Sequence, residues 1–81
     1  MSISKKRLSD LLPNDVAQVA GFVDSCPVVY RRALMARGIL PCSEIKVIRR
    51  APLGDPIEFC VRDYRLTLRQ EEAKYIQVKP A

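Results

Sequence analysis

The chain has 81 residues, of which 48% are hydrophobic and 28% charged, and its formal net charge is +5. This length suffices for one small domain and leaves no room for a deep substrate cavity with walls of its own. The composition is that of a globular protein and excludes a disordered or collagen-like chain. We expect one domain over residues 1–81, with a flexible N-terminus at residues 1–7.

The N-terminal segment is not expected to be a signal peptide. Its basic residues 5–7 imitate the start of one, but Asp10 and Asp15 interrupt the segment that follows. No apolar run approaches the roughly 18 residues needed to cross a bilayer. The sequence therefore predicts a soluble, cytoplasmic protein without direct membrane insertion, which would serve a membrane process only by docking.

The first predicted strand lies in PNDVAQVAGF, where Pro13 and Asn14 form a turn before mostly apolar residues. The segment DSCPVVYRRALMARG then predicts a short helix, with Ser25 as N-cap and Gly38 as a C-terminal glycine cap. Four of its residues fall on one face at helical spacing and are expected to pack inward. They are Val29, Tyr30, Ala33 and Leu34.

The second half of the chain alternates apolar and polar residues, which is typical of strands. SEIKVIRR, PIEFCV, DYRLTL and YIQVK each predict a strand, a tight hairpin joins two of them at Arg62 and Asp63, and LRQEEAKY predicts one helical turn. About five short strands on a small chain can bury their apolar faces together in a barrel. The predicted fold is therefore all-β, a small SH3-like or OB-like barrel with an inserted helix and a C-terminal helical turn.

The side chains required by most enzymes are missing. The sequence has no histidine, the commonest general base, and no GxxxxGK[ST] or GxGxxG motif for phosphates or dinucleotides. Its carboxylates are scattered, apart from the neighbours Glu71 and Glu72. We expect no catalytic residue and no cofactor.

Cys26, Cys42 and Cys60 lie far apart, and their odd number without a secretion signal indicates reduced thiols in a cytoplasm. A structural zinc site requires four Cys or His ligands, so we expect no metal site. The alternative, metal sensing through these thiols, predicts iron or zinc in the purified protein.

A nucleic-acid partner is permitted by the positive charge but is not expected. Arginines of neighbouring strands could cluster: Arg49, Arg50, Arg62, Arg65 and Arg69. Barrels that bind single-stranded nucleic acids also need exposed aromatic residues on which the bases can stack. The aromatic residues here are assigned to the core or to packed positions: Tyr30, Phe59, Tyr64 and Tyr75.

The loop RAPLGDP is the candidate binding site. Pro52 and Pro56 restrict φ and Gly54 supplies a turn, so this loop loses little entropy on binding. Leu53 at its tip would be an apolar anchor with arginines as a charged rim. The complete set of expected partner-binding residues is Arg49, Arg50, Pro52, Leu53, Gly54 and Asp55. The alternative is that Leu53 folds back to cap the barrel.

The run RRALMARGILPCSEIKVIRRAPLGDPIEFCVRDYRLTLRQEEA resembles the ferrous-iron transport protein A (FeoA) family, from about Tyr30 to Val78. The resemblance implies a cytoplasmic SH3-like barrel that is an accessory of iron uptake and neither a transporter nor an enzyme. Its implied partner is the cytoplasmic region of ferrous-iron transport protein B (FeoB), a membrane GTPase that carries iron(II) inward. Related domains are fused to metal-dependent repressors, so a regulatory or nucleic-acid-associated barrel is the alternative, and self-association through an open edge stays possible.

Three turns depart from the usual family pattern. Cys42 stands where glycine is common after the helix, which costs energy if that residue has a positive φ. Asp63 in the hairpin and Asn14 in the first turn also replace glycine, and both residue types tolerate the left-handed region.

Overall fold

The computed structural model describes residues 6–81, in which six antiparallel strands form one sheet in the order β1-β6-β2-β3-β4-β5. The sheet curls into a small, barrel-like layer that is not closed, and the described strands include one more than the sequence predicts. The strands are β1 Lys6–Arg7, β2 Val16–Phe22, β3 Glu44–Arg50, β4 Ile57–Val61, β5 Tyr64–Leu68 and β6 Ile76–Pro80. The helices are a 3-10 helix at Leu8–Asp10, α1 at Val28–Ala36 and α2 at Gln70–Ala73.

The core is built by the alternating residues of the strands, as predicted. The inward residues of β3 to β6 are all buried: Ile45, Val47, Ile57, Phe59, Val61, Leu66, Leu68, Ile76 and Val78. Leu8 and Leu11 from the N-terminal segment and Leu34 and Ile39 from the helical segment complete this cluster. The all-β expectation is therefore confirmed.

The N-terminal segment differs from the expectation for residues 6 and 7. Lys6 pairs with Val78 and Arg7 with Gln77, so β1 is an edge strand beside β6. The two-residue strand has no apolar alternation by which it could be recognised in the sequence. Residues 1–5, the remainder of the expected flexible segment, lie outside the described residues.

A β-bulge at Ile48 changes which side of β3 its last residues face. Val47 pairs with Phe59, but Arg49 pairs with Glu58 because the bulge inserts one residue. Without the bulge, Arg49 would follow Val47 onto the buried face. With it, Arg49 points outward and Arg50 lies opposite Ile57, a fully buried residue.

Helix α1 was placed correctly, but its cap and buried face were wrongly predicted. Pro27, not Ser25, is the N-cap residue, whereas Gly38 has φ +100° just after the helix, as a terminating glycine should. Only Leu34 is buried, and Val29 is 75% exposed. A nine-residue helix on the rim of a barrel touches the core with one residue and leaves most of its circumference to solvent.

Contacts at its two ends join α1 to β5 and to the residue that precedes β6. The Arg37 guanidinium Nη2 donates to the carbonyl of Thr67 in β5 at 2.7 Å. At the other end, the rings of Tyr30 and Tyr75 meet edge to face, with centroids 5.6 Å apart. These tyrosines are packed against each other, as expected, although Tyr30 remains 36% exposed.

Within residues 6–81, three residues other than glycine have a positive φ, and all three lie in turns. Asn14 has φ 75° and Cys42 has φ 73°, so both stand in the left-handed region, as their replacement of glycine predicts. In the β4–β5 hairpin the positive φ of 56° belongs to Arg62 rather than to Asp63. The expectation for Asp63 is therefore wrong by one position. No helix among residues 6–81 is long and apolar enough to cross a membrane.

Candidate docking loop

Leu53 stands at the tip of the loop between β3 and β4, and 96% of its side chain is exposed. The alternative in which it folds back and caps the barrel is therefore wrong. An isolated exposed leucine is common on protein surfaces. This one differs because the backbone that carries it is held in place on both sides.

Hydrogen bonds close the loop on itself. The amide of Ala51 donates to the carbonyl of Pro56 at 3.0 Å, and the amide of Gly54 donates to the carbonyl of Ala51 at 2.7 Å. Gly54 has φ +90°, a conformation that suits glycine and that a side chain would strain. Pro52 lies beside Leu53 in this closed turn and is exposed.

A second element supports the loop from outside. The carboxylate Oδ1 of Asp55 accepts a hydrogen bond of 2.8 Å from the amide of Gln70, the first residue of α2. That amide is one of the unpaired donors at a helix N-terminus, which a carboxylate satisfies well. Asp55 therefore attaches the loop to α2, a structural contact that the sequence alone does not indicate.

Arg50 anchors the base of the loop and is not a charged rim residue. Its guanidinium Nη2 donates to the carbonyls of Ser9 at 2.7 Å and Leu11 at 2.9 Å. The side chain is partly buried because the bulge turns it to the inner side of β3, opposite Ile57. Arg50 thus joins the end of β3 to the 3-10 helix and to the residue that follows it.

Arg49 is the arginine that faces solvent beside the loop. Its side chain is 78% exposed, and its Nε lies 3.0 Å from Oε1 of Glu58 on the neighbouring strand. Arg65 of β5 approaches the other oxygen of the same carboxylate at 3.5 Å. The outer face of β3, β4 and β5 therefore carries two arginines around one glutamate, next to a shallow recess lined by Pro52 and Pro56.

The three cysteines are in different surroundings. Cys26 is buried, Cys60 is half-buried in β4, and Cys42 is exposed in the turn before β3. Among residues 6–81, no three His, Cys, Asp or Glu side chains lie close enough together to hold a metal ion. Cys60 points away from the core, as its alternation predicts.

Tyr64 does not lie in the core, contrary to the prediction from the alternation of β5. It is 45% exposed, and its hydroxyl donates to the carbonyl of Arg37 at the end of α1. Alternation alone puts Tyr64 on the same side of β5 as Leu66 and Leu68. It does not show that Tyr64, at the start of the strand, lies beside the end of α1 and not in the core. The signal that could have located Tyr64 is the flanking pair Arg62-Asp63, which puts it beside the hairpin turn.

A small, barrel-like antiparallel sheet with a stiff, exposed, leucine-tipped loop defines a domain of the SH3-like class. The FeoA domain model matches residues 6–80, and this chain belongs to the FeoA domain family.

A curated relative is the Fe(2+) transport protein A/Fe(2+) transporter FeoB fusion protein of Porphyromonas gingivalis (strain ATCC BAA-308 / W83). It is 33% identical over 73 residues, which cover 90% of this chain and 8% of that protein. This chain therefore spans less than a tenth of the relative's length.

Two solved structures show the same fold. The FeoA-like protein of Clostridium acetobutylicum is 36% identical with a TM-score of 0.83, over 96% of this chain and 87% of that one. The FeoA of Stenotrophomonas maltophilia in complex with zinc, a procaryotic SH3 domain protein, is 28% identical with a TM-score of 0.77, over 89% of this chain and 87% of that one. The SH3-like fold predicted from the sequence is thus confirmed.

Proposed function

We propose that this chain is an accessory protein of ferrous-iron uptake that docks on the cytoplasmic region of an FeoB-type transporter and regulates it. The observation that carries the proposal is the almost complete exposure of Leu53 on a loop braced at Asp55 and Arg50. The Porphyromonas gingivalis relative is a fusion of FeoA and FeoB. This fusion supports the choice of partner, because it keeps two associating domains together.

In this proposal Leu53 enters an apolar pocket of the transporter, and Pro52 and Gly54 hold it in position. A preformed loop loses little conformational entropy on binding, so more of the burial energy appears as affinity. Burying a leucine completely contributes about 1.5–3 kcal/mol. Arg49 forms the charged rim, whereas Arg50 supports the loop from below.

The test compares two exposed leucines that carry the same substitution. Leu53→Asp and Leu12→Asp both remove an exposed leucine and add one negative charge, and Leu12 is 63% exposed on another loop. With folding checked by circular dichroism, we expect Leu53→Asp to weaken binding to the purified cytoplasmic region of FeoB at least about tenfold. Leu12→Asp should bind like the unmodified protein. Equal binding by all three proteins would exclude Leu53 as an anchor.

Regulation is measured separately from docking. GTP hydrolysis by the intact transporter is followed with saturating unmodified protein, with Leu53→Asp, and with no addition. We expect the unmodified protein to change the rate and Leu53→Asp to leave it at the basal value. If the unmodified protein binds but the rate of GTP hydrolysis stays at its basal value, the chain docks on the transporter without regulating it.

The alternative function, a nucleic-acid-associated barrel, has the net charge of +5 in its favour. Two of the arginines that would form its surface, Arg49 and Arg65, share Glu58, which partly neutralises them. Charge-driven binding to DNA or RNA falls steeply as salt rises. A mobility shift that survives physiological salt would favour this function over the adaptor role.

A further inference from the structure

The side of α1 that faces away from the barrel is unusually apolar for a solvent-exposed helix. Val29, Ala33 and Ala36 are spaced as i, i+4 and i+7, so they line one face, and Arg32 lies within the same arc. All four are exposed, and the buried Leu34 is on the opposite side. We call Val29, Arg32, Ala33 and Ala36 the outer face of α1.

The outer face of α1 takes no part in the packing of the helix against the barrel. Helix α1 is held by Leu34 in the core and by contacts at its ends, through Tyr30 and Arg37. None of these contacts involves the outer face. Val28 and Met35, on the flank of the helix beyond Arg32, are also 52% and 40% exposed.

The charged residues within α1 are all basic. Residues 25–43 contain three arginines and no aspartate or glutamate. The ion pairs found within residues 6–81 are those of Glu58 with Arg49 and Arg65, and none involves α1. The charge of Arg32 is therefore available to a partner of the outer face, and a complementary surface would be acidic.

We propose that the outer face of α1 is a docking surface for an acidic amphipathic helix of a partner protein. Alanine at two of the four positions lets two helices approach to about 8–10 Å, with Val29 as the apolar contact. At 1.5 Å per residue the nine-residue α1 matches about two and a half turns of a partner helix. A glutamate or aspartate on the flank of that helix would pair with Arg32.

Other occupants fit this surface less well. A second copy of this chain would bring the same arginines against it, and like charges in an interface are unfavourable. A bilayer surface is bound through large apolar side chains, whereas alanine contributes little to such insertion. Nucleic acid would leave Val29 against a phosphate backbone. The surface is on a different element from the Leu53 loop, so this proposal does not depend on the proposed function.

The probe is a synthetic helical peptide of about five turns with leucine and alanine on one face and glutamate on the other. It is titrated into the full-length, isotopically labelled protein while backbone amides are followed by NMR. We expect saturable shifts confined mainly to α1 and an affinity that falls as salt rises. A scrambled peptide of the same composition should produce no saturable change.

Two variants test the surface and one is the matched control. Val29→Asp and Arg32→Glu change exposed residues, so neither should unfold the protein, and each should weaken peptide binding at least about tenfold. Val16→Asp alters another exposed valine, 44% exposed on β2, and should bind normally. No saturable binding up to about 1 mM peptide, or equal loss in all three variants, would overturn the proposal.

The competing ligands are measured in the same assay. Vesicles of phosphatidylglycerol and a short DNA duplex are each titrated into the unmodified protein and into Val29→Asp. The proposal expects neither to shift the amides of α1 at physiological salt. Binding of vesicles or duplex that is stronger than that of the peptide and lost in Val29→Asp would overturn it in favour of that ligand.

Discussion

The hydroxyl of Tyr64 donates a hydrogen bond to the backbone carbonyl of Arg37, which joins the edge strand β5 to the end of α1. The same two elements are joined a second time by the bond from the Arg37 guanidinium to Thr67. Gly38 sits directly under this hydroxyl with φ +100°. The position therefore requires both a left-handed backbone and the absence of a side chain.

Gly38→Ala is expected to destabilise the fold by about 2–4 kcal/mol, because it adds backbone strain and a collision with the Tyr64 side chain. Gly54→Ala is the matched control, since Gly54 has φ +90° but nothing within 4 Å of an added Cβ. It should cost only about 1–2 kcal/mol, from backbone strain alone. Urea unfolding measures both, and equal losses would show that the Tyr64 contact is unimportant.

The collision can also be relieved in part. Tyr64→Phe removes the hydroxyl and alone should cost about 0.5–1.5 kcal/mol, the value of a typical hydrogen bond. In the double variant with Gly38→Ala the losses should not add, because the colliding oxygen is gone. Additive losses would contradict this explanation.

Arg50→Met and Arg49→Met separate a structural arginine from a surface one. Arg50→Met should destabilise by about 1.5–3 kcal/mol, because the bonds to Ser9 and Leu11 are lost and these carbonyls lose a charged donor. Arg49→Met removes an exposed ion pair with Glu58 and should cost less than about 1 kcal/mol, less still in high salt. Thermal unfolding at two salt concentrations checks the order, and a reversed order would show that Arg50 does not anchor the loop.

Cys42→Gly should stabilise the protein. Cys42 has φ 73° and is exposed, so glycine removes the strain of a side chain in the left-handed region without losing core packing. The gain should be up to about 1 kcal/mol, less than the strain itself because glycine makes the unfolded chain more flexible. Cys60→Gly in β4 should instead destabilise, and denaturant midpoints in the presence of a reductant measure both.

Ser43→Ala is expected to be neutral or stabilising by up to about 1 kcal/mol. Ser43 is buried, and its hydroxyl has no hydrogen-bond partner among the described residues. Removing an unpaired buried hydroxyl removes its desolvation cost. Ser25→Ala, at an exposed position, is the control and should change little. A clear loss of stability in Ser43→Ala would reveal a partner for the hydroxyl.

Most of the sheet was predictable because β3 to β6 show a period of two directly in their sequences, whereas the two-residue β1 does not. Phe59 and its neighbours in β4 could be assigned to the core from alternation alone. Helix α1 was harder, since Val28 and Val29 are as apolar as Leu34 and only the geometry of the barrel decides which of them is buried.

The loop was recognisable from its prolines and glycine, but the roles of its arginines were not. The bulge at Ile48 leaves no mark in the run EIKVIRR, and it decides that Arg49 faces solvent and that Arg50 turns inward. A bulge arises from the pairing of two strands and cannot be inferred from one of them. The contact between Asp55 and Gln70 likewise depends on residues 15 positions apart.

The attachments of the Leu53 loop join distant parts of the chain: Arg50 reaches residues about 40 positions earlier, and Asp55 reaches the start of α2. A nascent chain that has emerged only as far as β4 has no α2 with which to brace the tip. The loop should therefore lose its outer support, though not its local turn, in copies truncated before α2, and such copies should compete poorly with the complete domain for whatever the loop binds.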